Sequence, residues 1–240
     1  MPEISVMIIL EKNLKALKQM QRTYKPLKES EVLPKEMSKY DLNNEGLGRK
    51  VERTKVDEFI NGLPFLLTED QKLAVDDIYN DLLEPKRMNR LVLGDVGSGK
   101  TCVAEIGMYI NYLSGYQSSM MAPTEILARQ HYEGMKNLFA NTAVKIGLLV
   151  GSMKKSEKNK VCKELVNGEI DILVGTHALI SDNVEFKNLG LVITDEQHRF
   201  GVNQRKAFKN KGISPDVLSM SATPIPRTYA LTIYGDMEIS

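Results

Sequence analysis

The sequence predicts an α/β protein in which helices cover both faces of a mostly parallel β-sheet. Short apolar runs alternate with longer amphipathic stretches from about residue 63 to the end of the 240-residue chain. The apolar runs are continuous rather than alternating, which is typical of parallel strands buried on both faces. Strands that alternate with helices indicate the crossover units of a doubly wound sheet. Such sheets bind their ligands at the carboxyl ends of the strands.

The bulk composition is that of an ordinary globular protein, with 42% hydrophobic and 26% charged residues. The formal net charge is only +1, so any positive surface that binds nucleic acid must be local. Cys102 and Cys162 lie far apart, which indicates two thiols in a reduced protein. The apolar run from Ile4 to Leu10 is too short to span a bilayer. We therefore expect a cytoplasmic protein with no membrane partner.

Residues 1–62 differ from the rest, and we interpret them as a separate helical segment that precedes the main domain, residues 63–240. Leucines recur at helical spacing between Ile8 and Met20, which predicts an amphipathic helix. A second short helical pattern runs from Arg49 to Ile60. We expect these helices to lie against the main domain, or to be partly mobile, and to have no chemical role.

The main domain begins with a helix signal and continues with regular alternation. Thr68 followed by Gln71 is a capping-box pattern, which predicts a helix up to about Leu83. The predicted strands are Arg90–Leu93, Ser118–Ala122, Val144–Val150, Ile170–Val174, Leu189–Thr194 and Val217–Met220. The predicted helices that follow them are Cys102–Leu113, Thr124–Phe139, Ser156–Val166, Asn203–Lys209 and Pro226–Ile233.

One loop between a strand and a helix has the pattern of a phosphate-binding loop. Its sequence, GDVGSGKT, fits G-x-x-x-x-G-K-[ST] at every fixed position. Backbone amides of the loop and the N-terminus of the next helix form an anion site, and glycines leave room for it. A glycine-rich turn that matches by chance is the less favoured alternative. We assign to the nucleotide Gly94, Asp95, Val96, Gly97, Ser98, Gly99, Lys100 and Thr101.

Within this loop, Lys100 is expected to bind the β- and γ-phosphates, and the Thr101 hydroxyl is expected to bind Mg²⁺.

A second site feature is the strand that ends in two adjacent carboxylates, Asp195 and Glu196. Neighbouring side chains at a strand end point in different directions. Following the pattern of phosphate-loop enzymes, we assign Asp195 to the metal and Glu196 to activation of the attacking water. Without the loop, these acids would indicate only a solvated strand end.

Five motifs resemble, in the same order, those of superfamily 2 helicases. They are GDVGSGKT, Ala122–His131, Gly175–Ile180, Asp195–Val202 and Ser221–Thr228. With Leu231–Asp236, the set most closely resembles the RecG family of branch-migrating DNA helicases. The transcription-repair coupling factor and the primosomal helicase typically have DEEH where this chain has Asp195-Glu-Gln-His198. The resemblance implies a three-layer RecA-like P-loop NTPase domain that uses ATP and Mg²⁺.

The resemblance also implies roles for individual residues. Lys100, Asp195 and Glu196 match the catalytic positions of the family. Gln71 resembles the glutamine that reads adenine, since a carboxamide suits the N6/N7 edge of that base; its alternative role is that of a capping-box partner, and both roles can coexist. The residues that resemble couplers between the nucleotide state and the grip on DNA are His198, Ser221 and Thr223.

Four further residues resemble those that hold the backbone of one DNA strand: Thr124, Arg129, Thr176 and His177. Hydroxyls, amides and helix N-termini hold phosphates without reading bases. For His177, a functional and a structural role are equally favoured. For His131, an exposed helix position is at least as favoured as a function.

The resemblance implies a monomer that acts on branched double-stranded DNA and on single-stranded DNA in recombination and repair. Members of the RecG family also have an N-terminal wedge domain and a second motor domain, which contributes an arginine finger. We expect this chain to be the first motor domain, to bind ATP with Mg²⁺, to hydrolyse it slowly and not to unwind DNA alone. The alternatives are a nucleotide-dependent module that binds DNA or a partner without turnover, and a motor domain of a translocase like the coupling factor.

Overall fold

A parallel β-sheet of seven strands forms the centre of the structure. The structure is a computed structural model, and it describes residues 46–181, 183–195, 215–222 and 238–240. The strands are β1 (Asn89–Leu93), β2 (Gln117–Met121), β3 (Ile146–Leu149), β4 (Ile172–Gly175), β5 (Leu189–Asp195), β6 (Asp216–Ser221) and β7 (Glu238–Ile239). Their order in space is β3-β4-β2-β5-β6-β1-β7, and every pairing between these strands is parallel. The carboxyl ends of the strands therefore lie at one edge of the sheet.

The described residues form five helices and one short 3₁₀ turn; two of the helices precede β1, and the other three and the turn lie between strands. The helices are α1 (Arg53–Asn61), α2 (Glu69–Leu83), α3 (Lys100–Leu113), α4 (Glu125–Leu138) and α5 (Lys155–Asn167), and the 3₁₀ turn is His177–Ile180. Thr68 caps α2 and Thr124 caps α4, since each hydroxyl accepts a hydrogen bond from a backbone N–H in the first turn. None of the helices in residues 46–181 or 183–195 combines the length and the apolar character that a bilayer crossing requires.

The core lies on both faces of the sheet. Successive strand residues point to opposite faces, and in β2 Met120 packs into one buried cluster while Met121 packs into the other. The cluster that contains Met120 also contains buried side chains of α1, α2, α3 and α4. The cluster that contains Met121 includes Leu165 of α5 and Leu179 of the 3₁₀ turn. Two covered faces explain why the strands read as continuous apolar runs.

A buried arginine joins the segment before α1 to the amino-terminal side of the sheet. Arg49 is 4% exposed and forms an ion pair with Asp216, the first residue of β6. It also donates hydrogen bonds to Asn111 Oδ1 at 2.9 and 2.7 Å and to the Gly190 carbonyl oxygen at 2.7 Å. Burial raises the pKa of the Asp216 carboxyl, and this effect outweighs the lowering by Arg49. Val56 of α1 is also fully buried, in the core cluster that contains side chains of α2 and α3.

The predicted doubly wound parallel fold is confirmed, with differences at the ends of elements. α3 begins two residues before its predicted start, because the phosphate-loop lysine already has helical geometry. β4 ends at Gly175 rather than at Val174, and β7 was not predicted. The helices predicted at Ile8–Met20, Asn203–Lys209 and Pro226–Ile233 lie outside the described residues. The domain boundary between residues 62 and 63 stays a prediction.

Candidate nucleotide-binding site

The carboxyl edge of the sheet brings together the described residues that the sequence assigned to the site. β1 leads into the loop of residues 94–101, and β6 and β5 end at Ser221 and Asp195. On the other side of β5, β2 leads to Thr124 and β4 leads to Thr176. Residues assigned to the nucleotide therefore lie beside β1, β6 and β5, and residues assigned to DNA lie beside β2 and β4.

The loop has the backbone shape that its glycines allow. Gly97 and Gly99 have φ angles of +80° and +81°, a region that residues with a Cβ rarely occupy. A Cβ at Gly99 would also collide with the Gln71 carboxamide. Gly99 is the N-cap of α3, so the free N–H groups of the first helical turn open toward the loop, as an anion site requires.

Lys100 holds its ammonium group at the loop. Its Nζ donates to the carbonyl oxygens of Gly94 and Asp95, each at 2.7 Å. These acceptors are neutral, so a phosphate oxygen would form a stronger, charge-assisted hydrogen bond with the same donor. The contacts therefore position Lys100 for an anion bound in the loop.

The structure shows one of the two roles that the sequence left open for Gln71, that of a capping-box partner, and the adenine role stays a prediction. Its Oε1 accepts from Thr68 N at 2.9 Å, which completes the capping box of α2. Its Nε2 donates to the Ser98 carbonyl oxygen at 2.9 Å. The carboxamide thus joins α2 to the loop.

Ser221 and Asp195 lie close to the loop. The Gly94 N–H donates to the Ser221 carbonyl oxygen at 3.3 Å, and Leu93 is in register with Ser221 on the neighbouring strand. Asp195 is in register with Met220 on the other side of β6. Two strand spacings of about 4.8 Å place the Cα of Asp195 roughly 10 Å from the end of β1. The loop and the acid therefore share one edge and can contact one ligand.

Asp195 has a partner that the sequence did not identify. His131 Nε2 lies 3.0 Å from Asp195 Oδ2, and the side chains are 11% and 20% exposed. The alternative that His131 is an exposed helix residue is therefore wrong. The spacing of apolar residues in α4 indicates this position. His131 follows Ala128 by three residues and precedes Met135 by four, and both of these residues are buried. Helical spacing therefore places His131 on the inner face of α4.

Glu105 of α3 is a second buried acid near this pair. It is 8% exposed, and burial raises the pKa of its carboxyl to about 7, whereas the charge of His131 lowers it. A carboxyl group in this environment changes its charge near neutral pH. No motif marks Glu105 in the sequence, because it stands within an otherwise apolar run of α3.

The residues assigned to DNA lie at the other half of the same edge. Thr124 is exposed and caps α4. Arg129 is exposed, forms an ion pair with Glu125 at 2.8 Å, and donates to Ser152 Oγ at 3.1 Å. Thr176 is the N-cap of the 3₁₀ turn, and His177 is exposed. Exposed hydroxyl, guanidinium and imidazole groups at helix starts can hold phosphates.

The oxygen donors fit the magnesium ion that the resemblance implies. Thr101 provides a hydroxyl and Asp195 a carboxylate, and Mg²⁺ prefers one or two protein oxygens together with phosphates and water. Within residues 46–181, 183–195, 215–222 and 238–240, no group of three or more His, Cys, Asp or Glu side chains could hold a metal ion. Three other assigned residues, Glu196, His198 and Thr223, lie outside the described residues.

Comparison with known protein families gives one family match. The family model described as DEAD/DEAH box helicase matches residues 68–231. This range contains the loop, Gln71 and Asp195.

Individual relatives are similar over most of this chain. Proteins named ATP-dependent DNA helicase RecG are 54% identical over 196 residues in Bacillus subtilis (strain 168) and 52% identical over 195 residues in Thermotoga maritima. The aligned residues cover 82% and 81% of this chain, but 29% and 25% of the two relatives. The chain therefore spans less than a third of the length of the curated relatives it matches.

Solved structures are similar as well. A structure of RecG bound to a three-way DNA junction has a TM-score of 0.76 and 48% identity, covering 85% of this chain and 27% of the other. A hypothetical ATP-dependent RNA helicase from Sulfolobus tokodaii has a TM-score of 0.57 at 19% identity, covering 78% and 56%. At that identity, the second likeness shows a shared fold alone.

Proposed function

Because this chain belongs to the DEAD/DEAH box helicase family, we propose that it is the ATP-binding first motor domain of a RecG-type DNA helicase. The observation on which this proposal depends is the shared edge: the loop with Lys100 and the strand end with Asp195 flank β6. The similarity to RecG proteins at more than 50% identity supports the RecG type over other helicases. We further propose that the protein acts as a monomer in the cytoplasm.

In the proposed reaction, the amides of residues 94–101 and the Lys100 ammonium bind the phosphates of ATP. The Thr101 hydroxyl and the Asp195 carboxylate would hold Mg²⁺, which would neutralise charge on the β- and γ-phosphate oxygens. Glu196 orients and deprotonates the attacking water. Gln71 Nε2 donates to the Ser98 carbonyl oxygen in the structure. In the proposed complex it would donate to the edge of the adenine base instead.

The proposed substrate is branched DNA, held through its backbone. One solved structure that this chain resembles contains RecG with a three-way DNA junction. Thr124, Arg129, Thr176 and His177 would bind phosphates of one strand, which suits a motor that must step over any sequence. His198, Ser221 and Thr223 would transmit the state of the nucleotide to that grip.

A nucleotide titration tests the ATP site. We expect Lys100→Ala to weaken binding of a fluorescent ATP analogue by 10- to 100-fold, because a hydrogen bond to a charged group contributes about 1.5–3 kcal/mol. Lys160→Ala is the matched control, since that side chain is 77% exposed on α5 and forms a long ion pair with Glu164 at 3.8 Å. Equal affinity of Lys100→Ala and the parent protein would contradict the phosphate-loop assignment.

ATP hydrolysis with and without a three-way junction tests the motor role. We expect slow hydrolysis and no unwinding by this chain, because an arginine finger supplied by a second domain contributes about 10³- to 10⁵-fold in related enzymes. Hydrolysis that the junction stimulates and Glu196→Gln abolishes would support the enzyme. Nucleotide-dependent DNA binding without any hydrolysis would instead support a binding module, and rapid junction unwinding by this chain would refute the expectation.

A further inference from the structure

The contact between His131 and Asp195 joins two parts of the carboxyl edge. His131 lies on α4, the helix that starts at the Thr124 cap and includes Arg129. Asp195 ends β5, which separates β2 from β6. The two residues are 64 positions apart in sequence, and their side chains meet at 3.0 Å. This hydrogen bond therefore links the helix of the DNA side to the acid of the nucleotide side.

The chemistry of the pair fixes which group donates. A carboxylate only accepts hydrogen bonds, so the imidazole Nε2 must bear the hydrogen that points at Asp195 Oδ2. The ring uses one acceptor site of Oδ2, and a carboxylate has further acceptor sites that could bind a metal. A hydrogen bond of this kind restricts the rotation of a carboxylate that binds a metal.

A residue of a third element, Glu105 of α3, interacts with the histidine of this pair. Glu105 projects from α3, the helix that begins at Lys100 of the loop, and its carboxyl is close enough to His131 for the two to interact electrostatically. Asp195 and Glu105 are thus two acidic groups that interact with His131. Since α3, α4 and β5 each provide one member, the orientation of Asp195 depends on the packing of both helices.

We propose that His131 is a positioning residue that holds the Asp195 carboxylate in the orientation required to bind the magnesium of the nucleotide complex. The inference deepens the proposed function and rests on it. It assigns a role to His131 through its hydrogen bond with Asp195. Residues that orient a metal ligand in this way typically contribute 10- to 100-fold to metal affinity.

The test measures nucleotide binding rather than turnover. The affinity for a fluorescent ATP analogue is determined by titration in excess Mg²⁺ and in EDTA, for the parent chain, His131→Ala and His131→Gln. We expect His131→Ala to lower the affinity at least tenfold in Mg²⁺ and to leave it unchanged in EDTA. His131→Gln should recover most of the loss, since its amide N–H can donate to the same carboxylate oxygen.

Two controls separate positioning from folding. Lys136→Ala alters an exposed residue of the same helix and should match the parent in both titrations. Asp195→Asn should lose the Mg²⁺-dependent part of the affinity, and adding His131→Ala to it should lower the affinity no further. Equal losses with Mg²⁺ and with EDTA, together with a lower melting temperature, would show a structural role and overturn the inference.

The outcomes also distinguish this inference from the proposed function. If the parent chain binds the nucleotide in a Mg²⁺-dependent manner and His131→Ala does the same with unchanged affinity, the inference alone is wrong. If the parent chain and Lys100→Ala both fail to bind, the ATP site itself is wrong, and the inference fails with it.

Discussion

Replacing Glu105 by glutamine should make the protein more stable above neutral pH but not in mild acid. Burial raises the pKa of this carboxyl from its ordinary 4.5 to about 7 in the folded state. The folded protein therefore holds a proton that the unfolded chain releases between these values. The stability that this proton provides is fully present below pH 4.5 and is lost as the pH rises through 7.

The size of the effect follows from the two pKa values. A difference of about 2.5 pH units corresponds to roughly 3 kcal/mol at 1.36 kcal/mol per unit. Glutamine is neutral at every pH and retains nearly the same volume. The free energy of unfolding of Glu105→Gln should therefore exceed that of the parent by about 3 kcal/mol at pH 8, and by less than about 1 kcal/mol at pH 5.

Urea unfolding at half-unit steps from pH 5 to 8 measures this difference, with a common slope fitted to both proteins. Glu133→Gln is the control, because that carboxyl is 64% exposed on α4 and its substitution should give no trend with pH. A difference between Glu105→Gln and the parent that stays constant across the range would refute the reasoning. It would mean that His131 keeps Glu105 charged in the fold despite its burial.

Two further substitutions test the packing around the site. Arg49→Met leaves Asp216 buried without its charged partner, so we expect a loss of about 3–5 kcal/mol in the free energy of unfolding, measured with urea; a loss below 1 kcal/mol would contradict the buried ion pair. Gly99→Ala forces a Cβ onto a φ of +81° and against the Gln71 carboxamide, so we expect weaker binding of the ATP analogue. Gly134→Ala, on an open face of α4, should bind the analogue as the parent does.

The parts of the fold that sequence could predict are those with a local signal. Continuous apolar runs between turn residues marked six of the seven strands, because burial on both faces removes polar positions. β7 has only two residues, Glu238 and Ile239, and its assignment depends on pairing with β1. The burial of Arg49 could not be predicted either. Arginine is usually exposed, and the partner that allows its burial lies 167 residues away in sequence.

The candidate site also contains residues that the sequence could predict and residues that it could not. The loop was predictable, because glycines and a lysine at this fixed spacing have few other uses. Asp195 was predictable as part of the same edge, because it ends an apolar strand of a parallel sheet. Glu105 and His131 were not assigned, since their roles depend on where side chains of α3, α4 and β5 meet in the folded protein. Helical spacing places His131 on the buried face of α4, and a buried histidine needs a partner. That argument was available from sequence, but the identity of the partner was not.

The strand order shows which residue could couple the DNA side of the sheet to the nucleotide side. Because β5 lies between β2 and β6, Asp195 stands between the residues assigned to DNA and the loop assigned to ATP. A shift of α4 at Thr124 and Arg129 would move His131, and His131 contacts the carboxylate at 3.0 Å. Linkage requires the reverse effect to be equally large, so a nucleotide that fixes Asp195 must also favour one position of α4. Under this proposal, DNA affinity in the parent chain should respond to Mg²⁺–nucleotide, and His131→Ala should reduce that response without abolishing either binding event.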